Sequence, residues 1–488
     1  MKTTEKIKIE LGNLKSKGAQ YADARFYPSR ETESITFLQG NLKECRSSGT
    51  TGIGVRVLYN GAWGFASSSS IENISAIFDT AMNNASAASK RLSFPIKLAD
   101  RKPLTAEYVS PREIDPFDVP ISEKLDFLRK IDEQLKNDIV AQRISYVTSD
   151  KQEIIFMDTD GSYIEKNVCD IFTGMKVIGV ESDGNSQERS YDLGGNGYGA
   201  RGWETLISND NFSKNADRIV DELSQILIAK QAPKDSRSVI LLPGIMFLQT
   251  HEVIGHALEL DRILGYELSY AGGSFVKLED FGNLQYGSDK LTVRADGTLP
   301  NSPGSYGFDD DGVECQNTVL IEKGILKNAI TSRQTVVEAN EKINKNIFDK
   351  SGGCARASNF NRVPLERMTN INIDPGNDGS LEDIIASTEK GIVLDGARSW
   401  SIGSNREQFH FACEIGWLVE NGIKKEVVKN PTYSSDTLPF WKSLSAVGDK
   451  STAELVYVPN CGKGLPSQQM YLGHLIPICK FDNVKTGE

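Results

Sequence analysis

Leu248-Gln249-Thr250-His251-Glu252-Val253-Ile254-Gly255-His256-Ala257-Leu258-Glu259-Leu260-Asp261 lies near the middle of a 488-residue chain, and its reading divides the rest. Two of the chain's four histidines fall here, with a glutamate directly after the first. Ile245, Met246, Phe247, Leu248, Val253, Ile254 and Leu258 surround them with apolar side chains, which predicts a mostly buried helix from about Ile245 to Leu264. Just before it, Val239-Ile240-Leu241-Leu242 reads as a short buried strand stopped by Pro243-Gly244.

His-Glu followed by a second histidine on one helix is the chemistry of zinc hydrolases, with two imidazole ligands and a carboxylate base. The familiar spacing is HExxH, whereas this chain has HExxxH. Each α-helical residue turns about 100°, so positions five apart point about 140° away from each other. His251 and His256 can therefore share an ion only if the helix widens locally, as a π-type bulge does. Gly255 is the residue most tolerant of that distortion, so a bulge or kink is expected between Glu252 and His256.

A catalytic zinc takes three protein ligands and keeps a position open for water. By residue type the third is open among Cys461, Cys413, Cys354, His410, His474, Glu259 and Asp261. Cys461 lies in Asn460-Cys461-Gly462-Lys463-Gly464, where glycines permit close approach and Lys463 would favour a thiolate. Glu259 and Asp261 are also candidate hydrogen-bond partners for the histidines, or members of a helix-face salt bridge.

Composition bounds the alternatives. The chain is too long for a single compact core. Hydrophobic (39%) and charged (25%) contents are ordinary for a globular protein. A net charge of −11 argues against a nucleic-acid partner. No run approaches the ~18 apolar residues of a membrane span, and Met1–Ile7 lacks the apolar core of a leader. Seven scattered cysteines do not suggest a disulfide framework, so a cytoplasmic location is expected.

Toward the N-terminus the pattern reads helix 3–17, strands within 21–59, a turn at Asn60-Gly61, a return strand 62–67 and helix 71–90. A proline-rich connection, 91–121, follows. Helix 122–136, strands in 143–193 and a helix at about 214–230 repeat the order, either as an internal duplication or as parts of one large sheet. Residues 231–238 read as a linker. From Gly265 onward strands and Gly-containing turns dominate, with helices near 333–342, 380–389 and 435–445. The expected class is α+β: an N-terminal mixed α/β-sheet domain over 1–232, then a β-rich C-terminal domain over 233–488 carrying the active-site helix.

With these motifs in place the chain resembles the TldD/PmbA family of metalloproteases over nearly its whole length. The resemblance is carried by His251–His256 with Leu258, Glu259 and Asp261, by Asp309-Asp310-Asp311-Gly312 and by Thr318–Lys327. Arg356-Ala357-Ser358, Arg367-Met368-Thr369-Asn370, Cys461-Gly462-Lys463 and the run Gly52–Val57 with Gly64-Phe65-Ala66 add to it. It implies that His251, His256 and Cys461 hold Zn²⁺, that Glu252 is the general base, and that this is the catalytic, TldD-type member. It further implies unfolded or extended peptide substrates and a homodimer or a heterodimer with a PmbA-like non-catalytic homologue. Ser467–Pro477 and Gly353-Cys354-Ala355 depart from the family pattern, and His474 is a novelty, read as a surface residue ahead of a polar group near the site. The competing reading is a regulatory or binding subunit with a closed, structural zinc site.

Overall fold

The computed structural model describes residues 2–192, 201–207 and 211–487. Its N-terminal part is one seven-stranded sheet. Helix α1 (Thr3–Ser16) precedes strands β1 (Tyr21–Leu38), β2 (Asn41–Tyr59) and β3 (Ala62–Ser68), and helix α2 (Ile74–Ser89) closes the first run. After β4 (Thr105–Val109), helix α3 (Ile121–Gln134) leads to β5 (Gln142–Asp158), β6 (Tyr163–Val180) and β7 (Ser186–Asp192). Helices α4 (Glu204–Ile207) and α5 (Asn211–Ile228) complete it. The sheet order is β3-β2-β1-β5-β6-β4, with β7 also on β6, so the two three-stranded meanders meet at the antiparallel β1–β5 pair. The repeated order is real, and both copies lie within a single sheet.

Several sequence boundaries move. The strands expected within 21–59 are two long ones, β1 of 18 residues and β2 of 19. Residues 41–51 of β2 are exposed on both faces, so no apolar alternation marks them. The proline-rich connection contributes β4, a parallel neighbour of β6 whose burial is low throughout. The linker reading of 231–238 gives way to the strands Lys230–Gln231 and Ser236–Leu241. Of the strands read in 143–193, residue 193 lies outside the described residues.

Beyond residue 232 the chain is β-rich. Strands Lys390–Ile402, Ser236–Leu241, Cys479–Thr486, Thr432–Asp436 and Gln408–Glu420 pair in that order, and the last pairs with the first, closing a five-stranded ring. Leu241, Leu394, Phe411, Tyr433 and Phe481 share one buried cluster with Ile245, Met246 and Leu248 of the motif helix. Leu241 ends a ring strand and Pro243 starts helix α6 (Pro243–Thr250), so the apolar strand delivers the histidines directly from the core. The two parts lock together through buried charge. Arg56 of β2 reaches Asp311 at 2.7 Å and Lys166 of β6 reaches Asp310 at 3.1 Å. Gly54 lies against the Phe360 carbonyl, which a Cβ there would meet at 2.1 Å. Among the described residues no helix is long and apolar enough to cross a membrane.

Candidate metal centre

The motif helix does distort where the spacing requires. Helix α6 gives way to a π turn at His251–Gly255 and then to a 3-10 turn at His256–Leu258. The His256 N–H bonds to the His251 carbonyl, five residues back, which stacks the second imidazole under the first. The Tyr286 hydroxyl donates to the Val253 carbonyl at 2.6 Å and Ser274 Oγ to the Ala257 carbonyl at 2.7 Å, so side chains satisfy carbonyls of the irregular turns. The two rings stand 4.8 Å apart, nearly perpendicular.

Gly255 is needed for packing rather than for backbone freedom, since its φ of −54° and ψ of −61° are ordinary right-handed helix. A Cβ there would fall 2.1 Å from Met368 Sδ, and Met368 is itself fully buried. Gly255→Ala is expected to destabilise the fold by about 1–3 kcal/mol and to lower metal content by displacing the π turn. Thermal melts and metal analysis of the purified variant check it. Unchanged metal content at saturating Zn²⁺ would refute the link between Gly255 and the site.

The third group arrives from 205 residues away. Cys461 lies near the end of the strand Glu454–Lys463, paired with Gln468–Ile476, and a register shift between Val458 and Cys461 re-aims the chain there. Arg367, fully buried, donates to the Gln468 carbonyl at 2.8 Å and the Cys461 carbonyl at 2.5 Å, clamping the hairpin end. Cys461 Sγ sits 3.6 Å from His256 Nε2. Ligand atoms of His251, His256 and Cys461 all lie within 4.8 Å of one another, and all three residues are buried. A tetrahedral zinc with Zn–N of about 2.05 Å and Zn–S of about 2.3 Å separates N from S by about 3.6 Å. The donor types and the His256–Cys461 spacing fit such an ion.

Electrostatics favour the ligand forms. Burial holds His251 and His256 below their ordinary pKa, with Glu252 and Glu259 opposing at His251 and Glu259 and Cys461 at His256. Burial resists ionisation of the Cys461 thiol, but His256 and then Arg367 outweigh it and bring its pKa below the usual value. The chain turns extended at Glu259, which pairs with Ile330, and the carboxylate returns to accept from His256 Nδ1 at 2.9 Å. Arg262 Nε (2.7 Å) and Lys463 Nζ (3.2 Å) hold the same oxygen. Burial opposes that ionisation, yet Lys463, His256 and Arg262 keep Glu259 well below its ordinary value.

The candidates thus separate. Glu259 is the His256 partner, whereas Asp261 binds Lys463 at 2.7 Å. Lys463 serves these carboxylates and the Glu366 carbonyl, rather than the thiol of Cys461 as its sequence position suggested. Cys354 and Cys413 are buried outside the cluster, and His410 lines a separate surface hollow with Ser434 and Lys485. His474 is not a surface residue. It is fully buried and touches His251. Between His251 and Arg262, Glu252 alone is part-exposed. Arg406 carried no sequence signal. It is buried in a left-handed conformation (φ 62°), donates to the carbonyls of Ala271 and Gly273, and its charge acts on Glu252 and Cys461. Burial, then Arg262, lowers its pKa to about 10.

Comparison with known proteins agrees along the whole chain. Models described as PmbA/TldA metallopeptidase domain 1, central domain and C-terminal domain match residues 22–85, 114–232 and 234–483 in turn. A metalloprotease of Methanocaldococcus jannaschii is 31% identical over 476 residues, covering 96% of this chain and 97% of that one. A zinc metalloprotease TldD homolog of Saccharolobus solfataricus is 24% identical over 93% of this chain and 97% of its own. TldE from Thermococcus kodakarensis has the same fold over 100% of both chains, with a TM-score of 0.73 at 15% identity.

Proposed function

The chain belongs to the TldD/PmbA family of metallopeptidases, and from that premise we propose that it is a zinc-dependent peptidase acting on unfolded or extended peptides. The observation that carries this reading is the convergence of His251, His256 and Cys461, with Glu252 next to the first of them. A zinc ion held by these three residues would polarise the scissile carbonyl and bring the pKa of a bound water to about 7. His251 and His256 present their Nε2 lone pairs, because each Nδ1 is engaged elsewhere. Glu252 accepts the proton of the attacking water and returns it to the leaving amine. Arg406 adds a positive charge to the field around Glu252 and Cys461.

A cavity of about 560 Å³ lies between the N-terminal sheet and the segments 356–362 and 467–471, lined among others by Arg30, Arg356 and Tyr471. Met470 in its wall is the cross-strand partner of Cys461, so the cavity adjoins the metal hairpin and suits part of an extended chain. The structural-zinc alternative is disfavoured because His474, the nearest further histidine, has both nitrogens engaged.

Chelation should abolish cleavage of unstructured fluorogenic peptides, and added Zn²⁺ should restore it. Cys461→Ala should hold well under one zinc per chain and fail to recover. Full activity of the zinc-free protein, or of Cys461→Ala, would defeat the proposal.

A further inference from the structure

We propose that His474 is a positioning residue that fixes the tautomer and orientation of His251 through an unusual histidine–histidine hydrogen bond. This rests on the metal reading of His251 given above. His474 is 0% exposed, on the strand Gln468–Ile476 opposite Val456. Its Nδ1 lies 2.8 Å from the Ile371 carbonyl and its Nε2 lies 2.9 Å from His251 Nδ1. The rings are 5.1 Å apart and close to perpendicular.

Proton positions follow from these contacts. A carbonyl only accepts, so His474 Nδ1 carries a hydrogen. One hydrogen then lies between His474 Nε2 and His251 Nδ1. If His474 donated it, His474 would be a buried cation with no carboxylate acting on it among the described residues, and His251 would carry its own hydrogen on Nε2. That arrangement is costly and would close the ligand lone pair. The hydrogen therefore belongs to His251 Nδ1, and His251 Nε2 is left open toward His256 and Cys461. The Ile371 carbonyl sets His474, and His474 sets His251.

The two imidazoles of the cluster consequently have different supports. His256 donates to a carboxylate, Glu259, itself held by Arg262 and Lys463. His251 donates to a neutral imidazole. A carboxylate acceptor pushes more electron density onto its ligand than a neutral acceptor does. The structure therefore assigns His251 the weaker donor role, and places its orientation under the control of a residue on the same hairpin as Cys461. Closing that hairpin brings the third donor and the support of the first donor into place together.

The test uses Co²⁺ and Zn²⁺ alone with the full-length protein. Parent protein should bind one Co²⁺ with a thiolate charge-transfer band, abolished by Cys461→Ala; absence of that band removes the metal reading itself. With the band present, His474→Phe, which keeps bulk but cannot accept, should bind about 10–100-fold more weakly and shift the visible ligand-field bands. His474→Gln keeps an acceptor oxygen for His251 and should recover most of the affinity and the parental spectrum. Far-ultraviolet circular dichroism identifies a folded His474→Phe protein, and if that variant does not fold, the comparison of His474→Gln with His474→Leu replaces it. Parental affinity and an unchanged spectrum in the folded apolar variant would overturn the proposal. Equal losses in the glutamine and apolar variants would also overturn it.

Discussion

Glu252→Gln is expected to lower peptide cleavage by about 10²–10⁴-fold while zinc content stays at the parental level. Glutamine keeps the shape and the part-exposed position of the side chain but cannot accept a proton at the pH of catalysis. Glu252 is absent from the set of converging donors, so its replacement leaves His251, His256 and Cys461 as they are. The loss should appear in kcat, with KM little changed, because proton transfer is a demand of the transition state. Peptide kinetics with metal analysis on the same preparation decide the matter. Undiminished cleavage removes Glu252 as the base, and a parallel loss of zinc makes it a structural contributor instead.

Arg189→Met is expected to destabilise the fold by about 3–5 kcal/mol, because it strips the counter-charge from several buried or part-buried carboxylates. Arg189 of β7 is fully buried and donates to Glu222 of α5 at 2.8 Å, Asp395 at 2.8 Å and Glu414 at 2.7 Å. The last two stand on the C-terminal ring, so one guanidinium joins the two parts of the chain. Burial opposes ionisation of Asp395, but Arg189 foremost keeps its pKa below the ordinary value of 3.8. A group held low in the folded state adds stability above its unfolded pKa and loses it as pH falls through the folded one. The deficit of Arg189→Met should therefore be full at neutral pH and narrow at acidic pH, where the stranded carboxylates take up protons. Denaturant titrations at pH 7 and pH 4 measure both effects. Glu414→Gln added to Arg189→Met should recover part of the loss, and equal stability of parent and Arg189→Met at pH 7 would refute the account.

Much of the site is legible in the sequence. The His251–His256 spacing is a local constraint: five residues on an α-helix cannot present two ligands to one ion, so the π turn at Gly255 follows from the chain itself. The buried helix, the ring strand before it and the β-rich C-terminal half likewise come from periodicity along a contiguous stretch. Elements without such periodicity escaped. The outer part of β2 is exposed on both faces, and β4 lies among prolines at the sheet edge.

Residue chemistry alone leaves the third group open and the resemblance names Cys461; the tertiary structure brings it to the helix. Cys461 and His474 approach across 205 and 223 residues; the glycines around Cys461 and the family resemblance single it out in the sequence, whereas nothing local marks His474. In the sequence His474 reads as a surface residue because a single histidine among strand residues has no sequence partner; the Ile371 carbonyl and the His251 ring that meet it are brought there by separate strands and turns. Arg406 owes its place to a left-handed backbone and to carbonyls of the 271–273 loop. The chain alone determined the helix, its distortion and two donors, since these depend on angles between near neighbours. The third donor and the supporting hydrogen bonds depend on how the hairpin, the ring and the motif helix pack, and packing is a property of surfaces that only the folded molecule brings together.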